Sequence, residues 1–186
     1  MIFDSGQAYA GRAYRDAMAA ARPHGVPVVL ARRGMRWSSD DGVTLDILAP
    51  SLPILADTGD DVSENSIVAR LTYRAGARVF HELFMGDAGE ASEARLLTAG
   101  TNLRADALKV GHHGSRYAST ASFIAAVQPK LAIISVGRHN TFGHPAPSTL
   151  HTFEAEGSAI FRTDRCGAIT LNWQQRARTM LSCEVR

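Results

Sequence analysis

Three short segments concentrate side chains able to hold a metal: Gly86-Asp87-Ala88-Gly89, Gly111-His112-His113-Gly114-Ser115, and Gly137-Arg138-His139-Asn140-Thr141-Phe142-Gly143-His144-Pro145. Neutral imidazole and carboxylate are the usual nitrogen and oxygen ligands of zinc, and they also suit manganese or iron. A carboxylate can bridge two metals about 3.5–4 Å apart, and such a pair can clamp the attacking and leaving oxygens of a phosphoryl displacement. The metal also lowers the pKa of bound water towards about 7. Flanking glycines let the backbone turn and approach closely without a Cβ penalty. Adjacent residues at a strand end point in opposite directions. One of His112 and His113 is therefore expected to face the metals, and the other to orient it, contact substrate or pack. Each segment also has a plainer reading. Gly-Asp after a strand is an ordinary turn, a His-His pair is often structural, and His144 before Pro145 fits a rigid loop. His24, His81 and His151 read as surface or core histidines. The combination and its order carry the signal.

Each segment follows an apolar stretch, at residues 77–85, 106–110 and 131–136. Ligands of α/β sheets gather beyond the carboxyl ends of strands, so Asp87, the loop histidines and His144 are expected on one rim of a sheet. The run LAIISVG has no polar alternation, the pattern of a strand covered on both faces, so Ile133 and Ile134 are both expected to be buried. Upstream, residues 8–22 have helical spacing ended by Pro23, Gly25 and Pro27. Strands are expected at 26–31 and 43–50, then a polar connection over 51–63. A strand pair follows, 66–73 and 77–87, across Arg74–Gly76. Further helices are expected at 89–99, at 120–127 and from Pro147 to a glycine stop. Short strands AIFRT, AITLNW and TMLSCEV close the chain. The alternation predicts a mixed α/β fold with helices packed on a sheet.

The 186 residues fit one domain, and 45% hydrophobic residues are enough to build a core. No apolar run approaches the roughly 18–20 residues that cross a bilayer, and the first residues do not read as a signal peptide. A net charge of +2 argues neither for nor against nucleic acid, because phosphate binding needs a local basic stripe. Arg162, Arg165, Arg176, Arg178 and Arg186 crowd one end and read as solvated charge. Cys166 and Cys183 are too few for a zinc knuckle. Their place in a terminal antiparallel sheet allows a disulfide, with buried or idle thiols the expected state.

The segments ENSIVARLTY, MGDAGEASEARLL and LRADALKVGHHGSRYASTASFIAAVQPKLAIISVGRHNTFGHPAPSTL resemble the C-terminal metallo-β-lactamase-like domain of ComEC-type DNA-uptake proteins. The likeness covers most of residues 1–173, and LKVGHHGS and AIISVG…GHP are its most specific parts. It implies an αβ/βα sandwich, a dinuclear zinc or manganese site and phosphodiester hydrolysis, with DNA or another phosphodiester as substrate. By position, Asp87 matches the metal-bridging carboxylate and His113 or His112 a metal ligand. His144 matches a late active-site histidine, and with His112 it would serve catalysis. Ser115, Asn65 and Asn140 match polar positions near the site. In a full-length relative the domain would follow a membrane channel domain and lie on the outer side of the cytoplasmic membrane.

This sequence also departs from the pattern. The H-x-H-x-D-H loop that supplies most of the metal ligands in such folds occurs nowhere in it. His139 stands where relatives usually have asparagine, Phe142 where tyrosine is common, and His81-Glu82 interrupts a strand that is normally aliphatic. Residues 1–186 are therefore expected to form an N-terminally incomplete domain, inactive or weak alone, with weak metal binding. The rivals are a non-catalytic remnant or binding module and a small-molecule metallo-hydrolase.

Overall fold

The computed structural model describes residues 1–173 and 180–184, with side chains through residue 173. Two three-residue strands, β1 (Ile2–Asp4) and β2 (Val28–Leu30), pair in parallel around the helix α1 (Arg12–Ala21). That helix starts four residues later than its sequence pattern, at Arg12, with Gly11 as its N-cap. Next comes an antiparallel meander of β3 (Arg36–Ser38), β4 (Val43–Ala49), β5 (Val68–Ala75) and β6 (Arg78–Phe84), with a one-turn helix α2 (Asp61–Glu64) between β4 and β5. The β5–β6 reversal needs only the tight turn at Gly76, whose φ of +61° is free of steric cost for glycine.

Beyond β6 each parallel strand is reached through a helix. The order is α3 (Glu90–Thr98), β7 (Ala107–Lys109), α4 (Ala121–Val127), β8 (Leu131–Ile134), α5 (Pro147–Ala155) and β9 (Ala159–Arg162). Strands β3 to β9 thus form one seven-stranded mixed sheet in sequence order, antiparallel in its first half and parallel in its second. Beyond it lie a one-turn helix, α6 (Thr163–Cys166), and the antiparallel pair β10 (Ala168–Asn172) and β11 (Met180–Glu184). The expected mixed α/β fold is present, compatible with an αβ/βα sandwich. Four short elements, β1, β3, α2 and α6, are absent from the sequence reading.

Helices cover one face of the sheet. Leu96 of α3, Phe123, Ile124 and Val127 of α4, and Phe153 of α5 bury against Leu83, Met85, Leu108, Val110, Ala132 and Ile134. Complete burial of one such side chain is worth about 1.5–3 kcal/mol, so this layer is the main fold-stabilising core. The register places Leu83, Leu108 and Ala132 in one row, and Phe84, Lys109 and Ile133 in the next row on the opposite face. Less covers that second face. Near β4 a small cluster of Ala31, Ile47 and Ala69 packs with Phe3 and Met35, and Trp173 lies 5.4 Å from the Tyr73 ring and 5.8 Å from that of Phe80. Ile134 is fully buried, but Ile133, Leu131, Phe84 and Phe161 are only half-buried. The expectation that Ile133 is buried is therefore corrected: an uninterrupted apolar run does not reveal how completely each face is covered.

Among the described residues no helix is long and apolar enough to cross a membrane. Cys166 is buried and disulfide-bonded, which corrects the expected free thiol. The side chain of Cys183 and residues Arg176, Arg178 and Arg186 lie outside the described residues. Arg162 is not simply solvated charge, because it pairs with Asp164 at 2.6 Å with both side chains mostly covered.

Candidate functional site

The three glycine-bounded loops leave β6, β7 and β8 at their carboxyl ends, and specific bonds draw them together. The Gly86 carbonyl accepts the His112 N–H at 3.1 Å, joining the first loop to the second. The Gly114 carbonyl accepts the Ala146 N–H at 2.8 Å, and the Ser115 carbonyl accepts the Thr149 hydroxyl at 2.9 Å, joining the second to the third. A Cβ on Gly114 would sit 2.7 Å from the Pro145 Cβ, so only glycine allows this approach. Within the third loop the Asn140 side chain takes the His144 N–H and gives its own N–H groups to the Gly137 and His144 carbonyls. Asn140 therefore sets where His144 stands.

His112 and His113 occupy a 3-10 turn, Gly111–Gly114, with φ of +45° and +55°. Two successive side chains in the left-handed region cost about 1–2 kcal/mol each, strain that the surrounding bonds must hold in place. This geometry replaces the extended strand end expected from the sequence, and it sorts the two rings differently. His113 reaches Asp87, with Nε2 3.4 Å from Oδ1 and both side chains half-exposed. Its Nδ1 lies 2.7 Å from the Ser135 carbonyl, which can only accept, so Nδ1 carries a proton. The Asp87 loop is held in turn by the Ser66 hydroxyl, which accepts the Asp87 N–H at 3.1 Å. His112 faces His144 instead, with ring centroids 6.0 Å apart. Burial, and then the neighbouring charges of His112, His113 and Arg116, hold the His144 imidazole below its ordinary pKa.

Asp87, His112, His113 and His144 thus share one rim. Asn65 makes its own hydrogen bonds elsewhere. It is buried, accepts the Leu55 N–H, and donates to Gln7 Oε1 and to the Leu55 and Asp61 carbonyls. Its work is to organise the 55–61 connection. Ser115 accepts the Tyr117 N–H through its hydroxyl and so shapes the turn after the histidines.

A metal can be tested against the pair that the rim presents. Two ligands at about 2.0–2.1 Å from a tetrahedral zinc lie about 3.3–3.4 Å apart. The 3.4 Å between His113 Nε2 and Asp87 Oδ1 fits that spacing. The Nδ1–carbonyl bond is the usual way a ligating histidine is oriented. Yet among the described residues no group of three or more His, Cys, Asp or Glu is arranged to hold a metal. The pair fits as part of a ligand set, and a closed set needs more.

Beside the histidines runs an open cleft of about 1160 Å³, whose walls include His112, Arg116, Tyr117, Phe142 and His144. Sequence reasoning passed over Arg116 and Tyr117, whose only signal was their place directly after Ser115. It also passed over the carboxylate beneath them. Glu93 is 1% exposed and accepts the Ser119 and Thr120 N–H groups and the Thr120 hydroxyl at 2.6–2.9 Å. Burial pushes its carboxyl up to about 7 despite those donors, and Glu64 adds repulsion. The folded state thus holds this proton more tightly than the unfolded chain does. The stability so gained is complete below about pH 4.5 and is lost as pH rises through about 7. Thermal unfolding should show Tm falling between pH 5 and 8, and Glu93→Gln should flatten that slope. An unchanged slope in the variant would show that Glu93 does not titrate there.

No protein-family profile matches the chain. Among curated proteins it is similar to ComE operon protein 3 of Bacillus subtilis, 32% identical over 160 residues, which is 86% of this chain and 20% of that protein. Competence protein ComA of Neisseria gonorrhoeae is 33% identical over 135 residues, 72% of this chain and 18% of that protein. Recombination protein 2 of Haemophilus influenzae is 34% identical over 93 residues, 50% of this chain and 12% of that protein. The chain spans a fifth or less of the length of these relatives.

Proposed function

The chain belongs with the ComEC-type competence proteins, and from that premise we propose that it is the metallo-β-lactamase-like part of a DNA-uptake protein, built for metal-dependent hydrolysis of phosphodiesters. The observation that carries this reading is the Asp87–His113 pair. With its Nδ1–H given to the Ser135 carbonyl, His113 turns Nε2 towards an Asp87 carboxylate oxygen 3.4 Å away. An imidazole nitrogen and a carboxylate oxygen at that spacing could share one cation as ligands. Zinc or manganese bound there would supply positive charge against a non-bridging oxygen of the phosphodiester.

This chain's own residues divide the remaining work. Asp87 and His113 would hold the cation, and the Ser66 and Ser135 contacts keep their geometry. His144, set by Asn140, would accept or donate a proton at the substrate, with His112 beside it on the cleft wall. In a longer protein the domain would act next to a membrane channel, on the outer side of the cytoplasmic membrane, with DNA as partner. Residues 1–186 bring two donors at ligand spacing where a catalytic zinc has three protein ligands, so turnover by this chain alone should be weak or nil. The size of that donor set also favours a second reading, a binding module without turnover.

The test is hydrolysis of bis-p-nitrophenyl phosphate and of DNA with zinc or manganese, by residues 1–186 and by a chain that restores an H-x-H-x-D-H segment. Restored activity at least 100-fold above that of residues 1–186, and lost with Asp87→Ala, is expected. Restored chain with no metal-dependent hydrolysis of either substrate would leave only the binding module.

A further inference from the structure

Tyr117 and Phe142 are 67% and 79% exposed, and both line the cleft that holds His112 and His144. Such exposure forfeits the gain from burying an aromatic ring, yet neither ring sits on a loose segment. The Tyr117 backbone is tied by its N–H to the Ser115 hydroxyl and by its carbonyl to the Glu90 N–H. Two residues on, Glu93 takes the Ser119 and Thr120 N–H groups. Phe142 lies inside the loop bridged by Asn140, and its ring stacks with His144 at 18° and 6.0 Å. Arg116 stands with its guanidinium 6.0 Å from the Tyr117 ring, on the same cleft wall. Two rigidly presented aromatic faces and one cation therefore border the site.

We propose that Tyr117 and Phe142 are stacking surfaces for the unpaired bases of a single-stranded nucleic acid in this cleft, and that Arg116 takes a phosphate beside them. The class of ligand rests on the DNA-handling reading above; the placement rests on the exposed rings. Aromatic side chains hold single strands because every unpaired base offers a π-face, whereas bases within a duplex are stacked on one another and offer none. Charge limits how far the strand runs. Asp60 and Glu90 also line the cleft, and a phosphate beside them would be repelled. Glu64 there is already engaged by the Gly89, Ala91 and Ser92 N–H groups at the start of α3.

The test is fluorescence anisotropy of a labelled short oligothymidine and of a duplex of equal length, with the 186-residue chain and no added metal. Because the readout needs no hydrolysis, it separates this inference from the catalytic one. The single strand should bind more tightly than the duplex. Tyr117→Ala and Phe142→Ala should each weaken the single strand by roughly 10-fold, while Tyr117→Phe, which keeps the π-face, retains binding. Arg116→Ala should lower the salt dependence by about one phosphate contact. Circular dichroism of each variant should match the parent, since both rings are exposed. Single-strand binding unmoved by both alanine variants, equal losses on single strand and duplex, or no oligonucleotide binding at all would each overturn the proposal. Ring-dependent binding without any hydrolysis would support it and count against the catalytic reading alone.

Discussion

Titration of residues 1–186 with zinc should give at most one weak site, with a dissociation constant on the order of 10 µM or weaker, and Asp87→Ala or His113→Ala should abolish it. The magnitude follows from ligand number. Complete four-ligand zinc sites reach about 10–16 kcal/mol of apparent binding free energy near neutral pH. Two donors supply about half of that, which corresponds to roughly micromolar to hundred-micromolar dissociation. The 3.4 Å separation of His113 Nε2 and Asp87 Oδ1 makes the two donors act together, so removing either leaves a single ligand that buffer outcompetes. Two tight sites per chain would mean that the described ligand pair is not where metal is held.

The second large effect is expected at Gly114. Its φ of +83° suits glycine, and a Cβ would lie 2.7 Å from the Pro145 Cβ and 3.1 Å from its Cα. Gly114→Ala therefore adds left-handed strain of about 1–2 kcal/mol and an overpacking cost of about 1–3 kcal/mol. The sum, about 3 kcal/mol, lowers Tm by roughly 6–12 °C in a chain of this size. Gly143 is the control. It also has a positive φ, +72°, but nothing lies within 4 Å of its added Cβ, so Gly143→Ala should pay the strain alone. Equal losses in the two variants would show that the close approach of the two loops is not what Gly114 is for.

Much of this arrangement was legible in the sequence because local rules and tertiary structure agree there. Glycine-bounded loops after apolar strands mark the rim, Pro147 marks the start of α5, and the apolar run at 131–134 marks β8. The parts that were not legible depend on contacts distant in the chain. Alternation at a strand end predicts that His112 and His113 diverge, but their left-handed turn is imposed by the Gly86 carbonyl and by Pro145, 26 and 33 residues from His112. Glu93 sits in EASEARLL, a stretch that reads as a solvated helix face, and is buried only because the Ser119–Thr120 turn folds over it. Asn65 resembled a site residue, and its four bonds show a loop-organising one. Strands of three residues such as β1 and β3 carry too little periodicity to separate from loop. Ile133 was misjudged for a related reason: composition records that a strand is apolar, whereas its coverage depends on which elements pack over that face.

The proposal that Asp87 and His113 would hold a cation rests on His113 Nε2 being open to a metal, and long-range proton–nitrogen NMR of the His113 imidazole reads that directly. Without metal, Nδ1 should carry a proton donated to the Ser135 carbonyl. Zinc should then shift Nε2 while leaving the Nδ1–H in place, and Asp87→Ala should weaken that response. An Nε2 that donates to Asp87 and is unmoved by zinc would make the pair an ordinary ion pair and contradict the metal site.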